Sequence, residues 1–198
     1  MGTGGTIGTG GVRTGGVSGT GGGLSTGGAV GTGGTAGAGG QTGITVDTID
    51  PNPESAPAGT QGPIGTKVNF YTVTKSRTLR KIEQYLSPTT PVELTWYVHE
   101  ATSQLGTYTK IFSTTTTSTT GTGYQSSGDI SVPLVAGRYY GISVRWTEPT
   151  NYVYRSAGSV TLSFGSMTSG QMITTTGEPS LAYKPTNSYY PQRLTTGP

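Results

Sequence analysis

The chain has 198 residues, a formal net charge of +3 and no cysteine; glycine fills 35 positions, more than half of them within the first forty, and only 11% of residues are charged. This composition excludes a coiled coil, a disulfide scaffold, a thiol nucleophile and a Cys-ligated metal. No apolar run approaches the roughly 18–20 residues of a membrane-spanning helix, and the charge is too weak and diffuse for a nucleic-acid footprint. What remains is one β-rich domain preceded by a low-complexity arm.

Residues 1–43 form that arm. Gly-Thr-Gly-Gly recurs from Gly2, Gly8, Gly19 and Gly31, and Arg13 is the sole charge. Glycine loses the most backbone entropy on ordering, and the segment has little apolar surface to bury in return. The default reading is a flexible tether; the sharper one is an extended assembly arm whose backbone bonds to neighbouring chains. Met1-Gly2-Thr3-Gly4-Gly5 lacks the charged and apolar regions of a signal peptide. Either a leader has been removed and Met1 added for expression, or the chain never uses that export route.

Residues 44–66 read as a Pro/Gly linker, with a short strand possible at Ile44, Val46 and Ile49 before Pro51, Pro53 and Pro57 break the pattern. Asp47, Asp50 and Glu54 cluster there. They fall short of the six to eight oxygen ligands that calcium takes, so they read as solvated charges. No cofactor is expected, and a structural calcium is left open without a site.

Residues 67–198 read as a β-sandwich domain. Val92, Leu94, Trp96 and Val98 alternate with Glu93, Thr95, Tyr97 and His99. Tyr140, Ile142, Val144 and Trp146 alternate likewise with Tyr139, Gly141, Ser143 and Arg145. Period-two alternation marks half-buried strands. Further strands are expected at 68–74, 78–86, 108–116, 129–134, 151–155, 159–164 and 189–195, separated by turn residues. The expected fold is all-β: an antiparallel β-sandwich of jelly-roll type.

Three stretches carry a resemblance: Val68-Asn69-Phe70-Tyr71, Thr78 through Leu86, and Val132-Pro133-Leu134-Val135-Ala136-Gly137-Arg138-Tyr139-Tyr140-Gly141-Ile142. They resemble the jelly-roll modules of secreted bacterial surface proteins, of the kind that follow Gly/Thr-rich tethers in myxobacterial lipoproteins. The resemblance covers roughly 67–195 and implies an extracellular accessory module. The lipid-anchor cysteine of such proteins is missing.

The catalytic inventory is thin. His99 is the sole histidine and sits on the outward face of its strand, where a surface position is expected. No recognisable carboxylate pair is present. No catalytic or metal-binding residue is therefore assigned. Lys67, Lys75, Arg77, Arg80 and Lys81 crowd into one hairpin and form a candidate anion site. Tyr139, Tyr152, Tyr154, Tyr189 and Tyr190 are candidate ligand contacts, because tyrosine offers an apolar ring and a hydroxyl at small entropy cost. The run Thr114–Thr120 suits an edge strand able to accept a partner. These features point to a non-enzymatic extracellular structural protein that self-assembles as a homo-oligomer or polymer into an appendage or fibre. The alternatives are a tethered carbohydrate-binding or adhesion module with a polysaccharide partner, and a viral or phage structural protein. Nucleic acid and a membrane span are not expected.

Overall fold

The computed structural model describes residues 43–61, 65–156, 158–174, 178–184, 186 and 188–198, with backbone alone at 58–61. Apart from Gly43, the expected arm lies outside the described residues. Gly43–Pro198 is a compact unit. Its strands are β1 (Thr45–Thr48), β2 (Ala58–Gln61), β3 (Gly65–Val73), β4 (Arg77–Ser87), β5 (Glu93–Ala101), β6 (Thr107–Thr117), β7 (Gly123–Ser126), β8 (Val132–Leu134), β9 (Tyr139–Trp146), β10 (Thr150–Val153), β11 (Arg155–Ser156), β12 (Val160–Leu162), β13 (Gly165–Ile173), β14 (Leu181–Ala182), β15 (Ser188–Tyr189) and β16 (Gln192–Gly197).

Among the described residues two seven-stranded antiparallel sheets pack together, beside a two-stranded β11-β15 ribbon. The first follows the order β1-β16-β4-β10-β2, with β7 and β8 also on β4; the second runs β12-β13-β3-β9-β5-β6-β14. From β3 onward the chain passes to the first sheet for β4, back for β5 and β6, to the first for β7 and β8, back for β9, and ends in the first with β16. This repeated crossing is jelly-roll connectivity. β4 is the spine of the first sheet. Its Gln84 pairs with Gln192 of β16 on one edge and Gln125 of β7 on the other.

Alternation places the core as expected. Leu94, Trp96 and Val98 of β5, with Tyr140, Ile142, Val144 and Trp146 of β9, meet Leu79, Ile82 and Leu86 of β4 and Leu194 of β16, all buried. The turn before β9 is set by Gly137, whose φ of 83° lies in the left-handed region that side chains resist. Its N–H donates to the Val73 carbonyl at 2.8 Å. The Tyr140 hydroxyl then reaches back, accepting from the Val135 N–H and donating to Glu100 Oε2, each at 2.8 Å.

The outer face of the second sheet departs from expectation. Val68, Phe70, Ala101, Tyr108, Ile173 and Leu181 form a second apolar cluster there, against which Tyr139 and Tyr183 pack. The strap 178–184, which contains β14, supplies its cover. His99 lies beneath this strap and is only 2% exposed, not at the surface. Alternation assigned its face correctly, but a face covered by a later segment is not solvent. Burial pushes the imidazole pKa down; Glu178 and the Pro179 carbonyl oppose the shift and Lys110 adds to it. Lys110 in turn pairs with Glu178 at 2.6 Å.

Within segment 44–66, expected as a linker, the described residues also join the fold. β1 pairs with β16, and β2 with β10. Asp50 is buried and ion-paired with Arg155 at 2.7 Å, while Asp47 accepts from the Ser163 N–H and hydroxyl at 2.7 and 2.6 Å. Glu54 alone of the three is exposed. Among the described residues no group of three His, Asp or Glu is placed to hold a metal ion.

The strap lies close on the sheet at Gly141, where an added Cβ would collide with Leu181 Cδ2. Gly141→Ala is expected to cost about 1–3 kcal/mol by overpacking. In thermal denaturation its cost should fall when Leu181→Ala is also present, so that the double variant loses less than the sum of the singles.

Candidate functional site

The described residues present two features with functional potential. The first is an aromatic cage at one end of the sandwich. Lys67 lies near the start of β3, on the face that carries Asn69, Tyr71 and Val73 toward the first sheet. It is 0% exposed. Its ammonium stands 3.8 Å from the ring centre of Tyr152, 5.5 Å from Tyr190 and 5.9 Å from Trp146. Tyr152 also packs against Tyr154 at 6.3 Å and edge-on to Tyr190 at 6.0 Å.

Beside the cage runs a buried polar chain. Asn69 donates to the Tyr190 carbonyl at 2.7 Å and accepts from its N–H at 3.0 Å. Tyr71 donates its hydroxyl to Gln192 Oε1 at 2.5 Å, and Gln84 donates to the Pro191 carbonyl at 2.8 Å. Burial pushes the Lys67 ammonium pKa down to about 7. The ring faces pull the other way, because their negative quadrupole favours the charged form. Burial raises the phenol pKa values of Tyr71 and Tyr190.

The expected ligand residues are thus regrouped. Tyr152, Tyr154 and Tyr190 come together, with Tyr190 buried and Tyr152 turned onto Lys67. Tyr189 is half-buried beside Arg155 in the β11–β15 ribbon, and Tyr139 packs on the outer-face cluster. The expected anion group divides. Lys75 and Arg80 are exposed and Arg77 and Lys81 half-exposed around the β3–β4 turn. Lys67 lies inside the sandwich, six residues or about 20 Å of strand from the far end of β3. Trp146 and Asn69 were missed as partners of these residues. The inward parity of Tyr71 and Val73 carries the signal for Lys67, once the strand is extended to Gly65.

The second feature is the open edge of β6. β14 pairs with Thr107 and Tyr108, and among the described residues Ser113–Thr117 has a ladder partner only on the β5 side. Ser113, Thr115 and Thr117 expose their side chains, while Thr114 and Thr116 are half-buried. Thr116 Oγ1 accepts from Trp96 Nε1 at 2.8 Å and donates to the Ser126 carbonyl at 2.9 Å, which pins the strand in place. Just past β6, the Ser118 N–H donates to the Val92 carbonyl at 2.9 Å. Hydrogen-bonded and non-bonded pairs alternate along an antiparallel ladder. Residues 114 and 116 therefore bond to β5, and 113, 115 and 117 turn their N–H and C=O groups to the open side. Among the described residues the outermost strands β1 and β2 have four residues and β12 has three, while β13 beyond Met167 is met by the Gly170–Thr186 bridge.

Comparison with protein-family models and with curated proteins finds no match to this chain.

Lys67 makes stability depend on pH. Between about pH 7 and the ordinary lysine value of 10.5 the unfolded chain holds a proton that the folded chain has released, so stability rises with pH across that window. Above about pH 10 the unfolded chain loses phenolic protons that the buried tyrosines keep, and stability falls again. Urea midpoints measured from pH 6 to 11 should peak at about pH 9–10. Lys67→Met should flatten the rising limb and leave the falling limb.

Proposed function

We propose that this chain is a non-enzymatic extracellular structural protein whose sandwich heads associate through the open edge of β6, with the Gly/Thr-rich arm as spacer or further contact. The observation that carries this reading is the Ser113–Thr117 edge. An unpaired strand is a template for a partner strand, and proteins usually blunt such edges with proline, charge or a cover. Here the stretch from Ile111 to Thr120 contains no proline and no charged residue. Its polar side chains keep it wettable, which suits a reversible contact better than aggregation. The resemblance to secreted bacterial surface modules supports the extracellular setting, and a viral or phage structural role would use the same edge.

The carbohydrate-binding reading draws less support. A sugar platform needs free ring faces, and the face of Tyr152 is occupied by Lys67 while Tyr190 is buried. Catalysis draws little support from His99, which is buried beneath the strap.

Light scattering and negative-stain microscopy on the full chain, over a wide concentration range, test the proposal. Oligomers should grow with concentration. Thr115→Pro removes an N–H that faces outward, so the β5 ladder keeps its bonds. It should weaken association roughly ten- to hundredfold, by loss of the two backbone bonds of one pair, with little change in melting temperature. A wild-type chain that stays monomeric throughout would sink the reading.

A further inference from the structure

We propose that the occupant of the β6 edge is the β6 edge of a second copy, paired antiparallel about a two-fold axis through Thr115. This rests on the assembly reading above and gives it a partner and a register. Three residues, Ser113, Thr115 and Thr117, present both N–H and C=O to the open side. In an antiparallel self-pairing, residue i of one copy meets residue 2c − i of the other, where c is the residue on the axis. Directly paired residues share a face of the sheet, so c is a whole residue number.

With c at Thr115, Thr115 meets its own counterpart and Ser113 meets Thr117 twice. Every outward group is used, giving about six inter-chain backbone hydrogen bonds. With c at Thr114 the outermost outward residue, Thr117, falls opposite Ile111, beside the irregularity where the β5–β6 register shifts between Val98 and His99. With c at Thr116, Ser113 falls opposite Thr119, which has already turned inward to donate its N–H to Gln125 Oε1. Thr115 alone satisfies all three pairs.

The side chains fit the same centre. Ser113 with Thr117, Thr114 with Thr116 and Thr115 with itself are hydroxyl pairs, among the combinations that stabilise cross-strand neighbours. Lys110, held by Glu178, falls opposite Thr120 rather than another lysine, so no like charges meet. The result is a closed pair in which one sheet runs through both copies. A two-fold contact consumes its own edge, so growth beyond pairs needs a different surface.

The chain has no cysteine, so each introduced thiol reports on one contact. Antiparallel hydrogen-bonded partners have Cα atoms about 5.5 Å apart, inside the disulfide range of about 4.4–6.8 Å. Thr115→Cys in the full chain should oxidise under copper–phenanthroline to a disulfide dimer. Ser113→Cys alone and Thr117→Cys alone should not, because their like residues stand roughly 14 Å apart. An equimolar mixture of those two variants should cross-link one to the other. Cross-linking of Ser113→Cys or Thr117→Cys alone at the rate of Thr115→Cys would overturn the register. Absence of cross-linking in every variant, with wild-type chain still oligomeric by light scattering, would overturn the self-pairing and leave the assembly reading standing. A monomeric wild type would end both.

Discussion

The buried amide and phenol chain around the last strand is the constraint on which the first sheet depends. β16 lies between β1 and β4, and both need its edges. Burying Asn69, Gln84 and Gln192 at 0% exposure costs free energy unless their polar atoms find partners. Most of those partners lie at Tyr190–Gln192: two backbone carbonyls, an N–H and the Gln192 amide. A displacement of this segment would leave several groups unpaired in the core at once. Hydrophobic burial supplies the bulk attraction between the sheets, and the polar chain sets the position at which β16 can lie.

The second sheet is held differently. Beside the polar chain from β3, its inner face meets the first sheet through aliphatic and aromatic packing. Its outer face is covered by a returning segment that lays Leu181 on Gly141 and Tyr183 against Phe70, with ring centres 4.9 Å apart. That cover reaches the β6 end of the sheet at Tyr108 and ladders no further. Among the described residues, the covered part of β6 therefore ends where its ladder becomes one-sided.

The core was legible in the sequence because strands with one wet face write their period directly, as at Val92–Val98 and Tyr140–Trp146. Three things were not legible. β3 is buried on both faces, so Lys67 and Asn69 carry no polarity signal of solvent exposure; a lysine in a basic hairpin looks solvated until its parity with Tyr71 is taken up. His99 was given the right face, yet its cover comes from residues 79 and 80 positions later, which local periodicity cannot sense. The prolines at 51, 53 and 57 suggested a linker, although they only bracket short stretches of strand and a 3-10 turn whose carbonyls are gathered by Arg155. The Thr-rich edge was recognisable, because a run of β-branched polar residues favours extension without demanding burial.

The pairing of β1 with β16 has a temporal side. Thr45 lies opposite Thr196, and the Thr78 hydroxyl donates to the carbonyl of Pro198. The first strand of the sandwich thus waits for β16 before its ladder can form, and β4 waits with it from Thr78 to Gln84. Contacts so distant in sequence make for slow folding, since loop-closure entropy must be met before they give anything back. During synthesis the second sheet can collect β3, β5, β6 and β9 early, while the first sheet stays incomplete until β16 has been made. A head still lacking β16 would therefore carry exposed strand edges on β1 and β4, and only β16 removes them.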